Sequence, residues 1–173
     1  MLSTTAEYAL RIIIALTERA NGPLTSESIA QATDVPPDYA VKVLQMLGRA
    51  KLVKAQRGRG GGFQLACDPR TTTLLDVVGV IDPVRRVEAC PLSRGEHEGK
   101  LCSLHQRIDD IAAMLESSLA SMTVQSVVDE SVGSALCHSD KASDPAERRR
   151  GKKSTGAARA GAGRVPNERR KVR

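Results

Sequence analysis

The chain has 173 residues, of which 27% are charged and 2% aromatic with no tryptophan, so aliphatic side chains must fill any core. No apolar run approaches the roughly 20 residues that a bilayer requires, and no basic stretch precedes an apolar signal core, so a membrane-spanning chain is excluded and a cytoplasmic one expected. The net charge of +6 is unevenly placed: twelve of the 26 Lys and Arg but four of the 20 Asp and Glu lie from His138 onward, a net of +8 that leaves a body of 14 against 16, or −2.

Residues 3–20 read as a first helix capped by Ser3 or Thr4, with Ala9, Leu10, Ile13, Ile14 and Leu16 as its apolar face and Asn21-Gly22-Pro23 beyond its end. Glu7 falls in its first turn, where a carboxylate is favoured by the helix dipole. Thr25 and Ser28 offer caps to a short second helix in which Ile29 and Ala32 share a face, and Val35-Pro36-Pro37 stops it. Pro37 suits the first position of a third helix, Pro37 to Gly48, in which Tyr39, Val43, Leu44 and Leu47 recur at three- and four-residue steps. Helix, tight turn and helix is the layout of a helix-turn-helix reader, whose second helix would present Asp38, Tyr39, Lys42, Gln45 and Arg49, with Ser28 ahead of it, to phosphates and base edges.

Leu52-Val53-Lys54-Ala55 and Phe63-Gln64-Leu65 read as two strands joined by Arg57-Gly58-Arg59-Gly60-Gly61-Gly62, a hairpin tip with charge and little bulk. It forms a wing. Lys42, Arg49, Lys51, Lys54, Arg57 and Arg59 give the near-neutral body a local basic cluster suited to DNA. A phosphate-binding loop would need a lysine and a hydroxyl before a helix, and the glycine run has neither.

Thr71 to Thr73 cap a short helix, Leu74 to Ile81, and residues 82–101 form a long polar connection broken by Pro83, Pro91, Gly95 and Gly99. The four cysteines, Cys67, Cys90, Cys102 and Cys137, are irregularly spaced, which in a cytoplasmic chain favours thiols or metal ligands over structural disulfides. Cys67 beside the wing reads as a packed small residue, whereas Cys90 and Cys102 bracket the loop and His105 follows one helical turn later. Two thiolates and an imidazole suit an iron site, although the spacing alone is a weak motif. From residue 103 to about 130, Leu104, Ile108, Ile111, Leu115 and Met122 lie on one seam of a helix of some 27 residues, about 40 Å long. Such a helix either folds on its own domain or crosses a two-fold mate. The basic, Gly- and Ala-rich residues from His138 on are expected to be a disordered tail, attracted to DNA phosphate or inert.

Glu7-Tyr8-Ala9-Leu10-Arg11, Ser28-Ile29-Ala30, Pro37-Asp38-Tyr39, Lys42-Val43-Leu44, the run from Arg57 to Leu65, Leu74-Leu75-Asp76-Val77-Val78 and Cys102-Ser103-Leu104-His105 together resemble the winged helix-turn-helix regulators of the IscR, NsrR and RirA type, the Rrf2 family. The resemblance covers roughly residues 1–130. It implies a homodimeric regulator, often a repressor, whose affinity for DNA is commonly set by an iron-sulfur cluster. It also implies that Glu7 reaches a cluster iron of the other subunit. Relatives usually carry a third cysteine between the outer two, where this chain has Ser93, Glu96 and His97. That departure leaves a [2Fe-2S] group held by Cys90 and Cys102, with oxygen or nitrogen ligands from Glu7, His105, Glu96 or His97, or a metal-free thiol sensor.

The fold expected is therefore mainly α with a small β-hairpin wing: a winged helix-turn-helix domain over 1–81, a sensor loop over 82–102, a dimerisation helix over 103–137 and a basic tail over 138–173. The function expected is a non-enzymatic regulator on a two-fold DNA site, reading the major groove with the third helix and the backbone or minor groove with the wing. The rival from another class is a winged-helix interaction scaffold that does not bind DNA.

Overall fold

A computed structural model describes residues 2–19, 22–91, 101–130 and 136. Helix α1 (Thr4–Glu18) starts where the Ser3 hydroxyl accepts the Ala6 amide at 3.2 Å, and it buries Ala6, Ala9, Ile12, Ile13 and Leu16 at the centre of the core. Four of the five other described helices pack against it. In α2 (Ser26–Thr33) Thr25 caps the Ser28 amide, and the buried face is Ile29, Ala30 and Thr33 in place of the expected Ile29 and Ala32. Thr33 tolerates burial because its hydroxyl donates to the Ile29 carbonyl at 2.7 Å. Asp34 then enters the left-handed region at φ 52° and ends the helix.

Pro37 occupies the first turn of α3 (Pro37–Arg49), which buries Ala40, Val43, Leu44 and Leu47. Tyr39 departs from the expected apolar face: it is 48% exposed, and Ala40 takes the inner position. Strands β1 (Val53–Gln56) and β2 (Gly62–Leu65) pair antiparallel, from Val53 opposite Leu65 to Gln56 opposite Gly62. Leu24 adds a third edge through a two-way bridge with Phe63, its amide donating at 2.9 Å and its carbonyl accepting at 2.7 Å. That bridge explains the end of the glycine run. A Cβ at Gly62 would collide with the Leu24 backbone, and one at Gly61 would collide with the Gln56 carbonyl across the hairpin.

Helix α4 (Leu74–Ile81) has the expected bounds because Thr73 and Asp76 form a reciprocal capping box. The long helix expected from 103 to about 130 is instead two elements, α5 (Ser103–Ser121) and α6 (Val124–Glu130). Met122 is extended at φ −108° and ψ 124°, and Thr123 bridges Thr73. The amide of Leu74 donates to the Met122 carbonyl, while those of Val124 and Gln125 donate to Thr72 and Pro69, all at 2.9 Å. These bonds to the loop before α4 replace the helical ones. Helix α5 is thus 19 residues long, about 28 Å, and α6 turns back to bury Val124 against α1.

No helix among the described residues is long and apolar enough to cross a membrane. The expected tail, Cys137 and most of the loop between Cys90 and Cys102 lie outside the described residues.

Candidate DNA-reading surface and thiol-histidine site

Asp38, Lys42, Gln45 and Arg49 follow one another at helical steps along the exposed side of α3, and Tyr39 stands beside them. Lys54, Arg57 and Arg59 are exposed on β1 and the hairpin tip, while Ser28 is partly buried on α2. Sequence reasoning missed what holds the start of α3. The chain's two tyrosines meet edge to face, Tyr8 of α1 and Tyr39 of α3, with ring centroids 6.2 Å apart and planes at 75°. The tyrosine pair joins the two helices, and within each helix a cation flanks its ring, Arg11 over Tyr8 at 5.9 Å and Lys42 over Tyr39 at 5.2 Å. The signal was present in the spacing of Tyr8 and Arg11, and of Tyr39 and Lys42, three apart on their helices.

Cys102 is the residue before α5, and His105 lies in the helix's first turn. The His105 Nδ1 atom is 3.1 Å from Cys102 Sγ and 3.6 Å from Cys90 Sγ, and the three donor atoms lie within 4.8 Å of one another. All three residues are partly buried. Helix geometry delivers two of these groups; the third comes from the irregular segment after α4. An iron-sulfur group is the cofactor that the family resemblance implies, and the donor set suits it in kind. Two thiolates and an imidazole match a mixed sulfur and nitrogen centre and fill three of the four positions a [2Fe-2S] group requires.

Glu7 does not belong to this cluster within one chain; its carboxylate pairs with Arg11 on the next turn of α1. Cys67 is partly buried beside the wing. Glu96 and His97 lie outside the described residues, so their candidacy as ligands has no geometry to weigh.

Helix α5 turns most of its expected apolar seam away from its own domain. Leu104, Ile108, Ile111 and Met114 are exposed, the last two at 67% and 70%. Cys102, His105, Asp109, Ala112, Glu116 and Leu119, a largely polar stripe, turn inward. Asp109 is only 9% exposed, and its two oxygens accept from Arg86 Nε at 2.7 Å and Nη2 at 2.6 Å, with the Val87 amide adding a third bond at 2.9 Å. The guanidinium fork and the amide hold the Asp109 carboxyl down to about 2 and raise the Arg86 value in return.

A family model described as Rrf2, iron-dependent transcriptional regulator, matches residues 2–130. An HTH-type transcriptional regulator of Mycobacterium tuberculosis is 30% identical over 137 residues, 78% of this chain and 83% of the relative. The HTH-type transcriptional regulator BadM of Rhodopseudomonas palustris is 27% identical over 119 residues, 69% and 75% of the two chains. Among solved structures, CymR, the global cysteine regulator of B. subtilis, superposes with a TM-score of 0.64 at 26% identity over 76% of this chain and 98% of that one. IscR of T. potens superposes with a TM-score of 0.64 at 21% identity, over 80% and 93%, a likeness of fold.

Proposed function

Because this chain belongs to the Rrf2 family of transcriptional regulators, DNA-binding proteins and not enzymes, we propose that it is a homodimeric repressor whose affinity for a two-fold operator follows the state of Cys90, Cys102 and His105. One observation carries this reading: the thiol-histidine cluster sits at the root of α5, the helix that leaves an apolar seam uncovered. A monomer gains nothing by exposing Leu104, Ile108, Ile111 and Met114 along one helix. A second copy of the same helix would cover them, since a two-fold interface is self-complementary.

In the dimer the exposed stripe of α3 enters the major groove, where Lys42, Gln45 and Arg49 reach base edges and phosphates. Arg57 and Arg59 approach the backbone or the adjacent minor groove from the wing. The spacing of the two α3 helices follows from how the α5 helices cross, and an operator of fixed half-site separation registers a change in it.

The favoured occupant of the sensor site is a [2Fe-2S] group, held by Cys90, Cys102 and His105, with Glu7 of the second subunit in the remaining position. Such a group supplies redox-sensitive charge at the site. Recruiting Glu7 would exchange its pairing with Arg11, and Arg11 also donates to the Thr33 carbonyl at the end of α2, just ahead of α3. The cross-subunit ligand therefore connects to the reading head by named contacts. A second reading, thiol oxidation without metal, is supported by the closeness of the Cys90 and Cys102 sulfurs.

The discriminating experiment is anaerobic loading with iron and sulfide of the wild type, Cys90→Ala, Cys102→Ala and Glu7→Ala, followed by visible absorption and operator binding. The cluster reading expects a charge-transfer spectrum lost in both cysteine variants and a change of operator affinity that accompanies it. A spectrum retained in either cysteine variant contradicts that reading; reversible oxidation that alters operator affinity with no iron bound favours the second.

A further inference from the structure

Asp109 is the polar residue that α5 buries while Leu104, Ile108 and Ile111 of the same helix remain exposed. A carboxylate takes an inner position only when its oxygens are satisfied. All three of its bonds come from one short stretch of chain, the Arg86 fork and the Val87 amide. The remaining Arg86 nitrogen, Nη1, reaches Glu116 at 3.5 Å, so the guanidinium bridges two side chains about two turns apart on α5.

That stretch is the arm that carries Cys90. Residues 82–91 contain no helix or strand, so no regular backbone ladder sets where the thiol stands. Cys90 stands three residues past Val87, a reach of at most about 11 Å. His105 stands one helical turn before Asp109 on the same face of α5. Two points of the arm are thereby registered against one helix: Val87 at Asp109, and Cys90 one turn away at His105 and Cys102. The amide bond sets the position of the arm along the helix, and the planar fork sets its rotation, which a single point charge would leave free.

We propose that Arg86 and Asp109 are positioning residues of the sensor site, setting the Cys90 thiol against Cys102 and His105 without touching whatever the site holds. The proposal rests on reading those three residues as one ligand set. It also says how the set is coupled to the rest of the molecule. Cys102 and His105 move with α5, whereas Cys90 lies on a separate segment that the Arg86 fork and the Val87 amide tie to the same helix. A shift of the helix that carries the apolar seam is passed to the third donor by charge-assisted hydrogen bonds.

Two probes separate the parts of this inference in the reduced protein. Co2+ reports thiolate ligation by its sulfur-to-metal absorption, and phenylarsine oxide reports whether two thiols can be bridged without any metal. The wild type is expected to show a two-thiolate Co2+ spectrum and Cys90→Ala a one-thiolate one. Arg86→Ala and Asp109→Asn are expected to approach the Cys90→Ala spectrum, with Co2+ affinity lowered about 10- to 100-fold, while a cooperative melting transition is retained at a lower midpoint. Exchanging the pair, Arg86→Asp with Asp109→Arg, should restore part of the second thiolate signal. Arg86→Lys, which keeps the charge but not the fork, provides the same reading should Asp109→Asn fail to fold. Wild-type Co2+ spectra and wild-type arsenical bridging in the fork variants would overturn the proposal. If the wild type takes no Co2+ but its arsenical bridging is lost in the fork variants, the ligand reading fails and the positioning role stands.

Discussion

Replacing Arg57 and Arg59 together by alanine should separate the wing's share of DNA binding from that of α3. Both side chains are exposed on a glycine-rich tip beyond the paired strands, so their loss leaves the hairpin register and the core untouched. If each guanidinium neutralises one phosphate, the slope of log affinity against log salt should become shallower by about 1.8, at roughly 0.9 per charge. The wild type's advantage over the variant should then shrink about twelvefold between 50 and 200 mM salt. Because phosphate carries no sequence, the loss should be the same on an operator selected from random duplexes and on an unrelated duplex. Fluorescence anisotropy across a salt titration on both duplexes measures this directly. An unchanged slope would refute the phosphate assignment, and a loss confined to the operator would mean that the wing reads bases.

Ile111→Asp places a charge in the exposed seam, where the single chain tolerates it but a mate would not. Dimerisation should weaken by several kcal/mol, on the order of the cost of burying an unpaired polar group, with the monomer still folded, and sedimentation at micromolar concentration checks it. The Asp109 carboxyl is favoured ionised in the fold, its value held at about 2 against an ordinary 3.8. The stability it contributes is therefore fully present above about pH 4 and lost as pH falls through about 2. The gap in melting temperature between wild type and Asp109→Asn should close over that interval, and a constant gap would show that the carboxylate's charge is not what stabilises the arm. Removing residues 138–173 should leave the thermal transition in place and lower non-specific DNA affinity most at low salt; loss of the transition would make that segment part of the fold.

The parts of the molecule legible in its residues are those that local chemistry decides. Thr73 and Asp76 fix the start of α4 by a capping box three residues wide, Pro37 starts α3, and the glycine run from Gly60 to Gly62 marks the hairpin. The break between α5 and α6 was not legible, because neither glycine nor proline marks it. It arises where Met122 and Thr123 pair with residues some fifty positions earlier, and no local signal encodes a bridge to Thr73. The seam of α5 was visible in its period through Leu104, Ile108 and Ile111, but Leu115 packs against the core, Met122 lies past the end of the helix, and the inward face was not legible. Placing Asp109 inside requires knowing that Arg86, 23 residues away, will meet it. Tyr39 misled for a related reason: at three- and four-residue steps it fits the buried row of α3, yet its ring is held at the surface by Tyr8 and Lys42. At the sensor, spacing alone could bring Cys102 and His105 together on one helical turn, whereas Cys90 joins them only through the folded arm.

The most direct test of the proposed function is a single affinity measured twice. The protein, loaded anaerobically with iron and sulfide, is titrated onto an operator selected from random duplexes before and after chelation, at one fixed salt concentration. A dimer whose half-site spacing depends on the sensor site should change its operator affinity by at least about fivefold, the low end of a typical coupling free energy, while its affinity for an unrelated duplex stays constant. Equal operator affinity in the two states would contradict regulation through Cys90, Cys102 and His105.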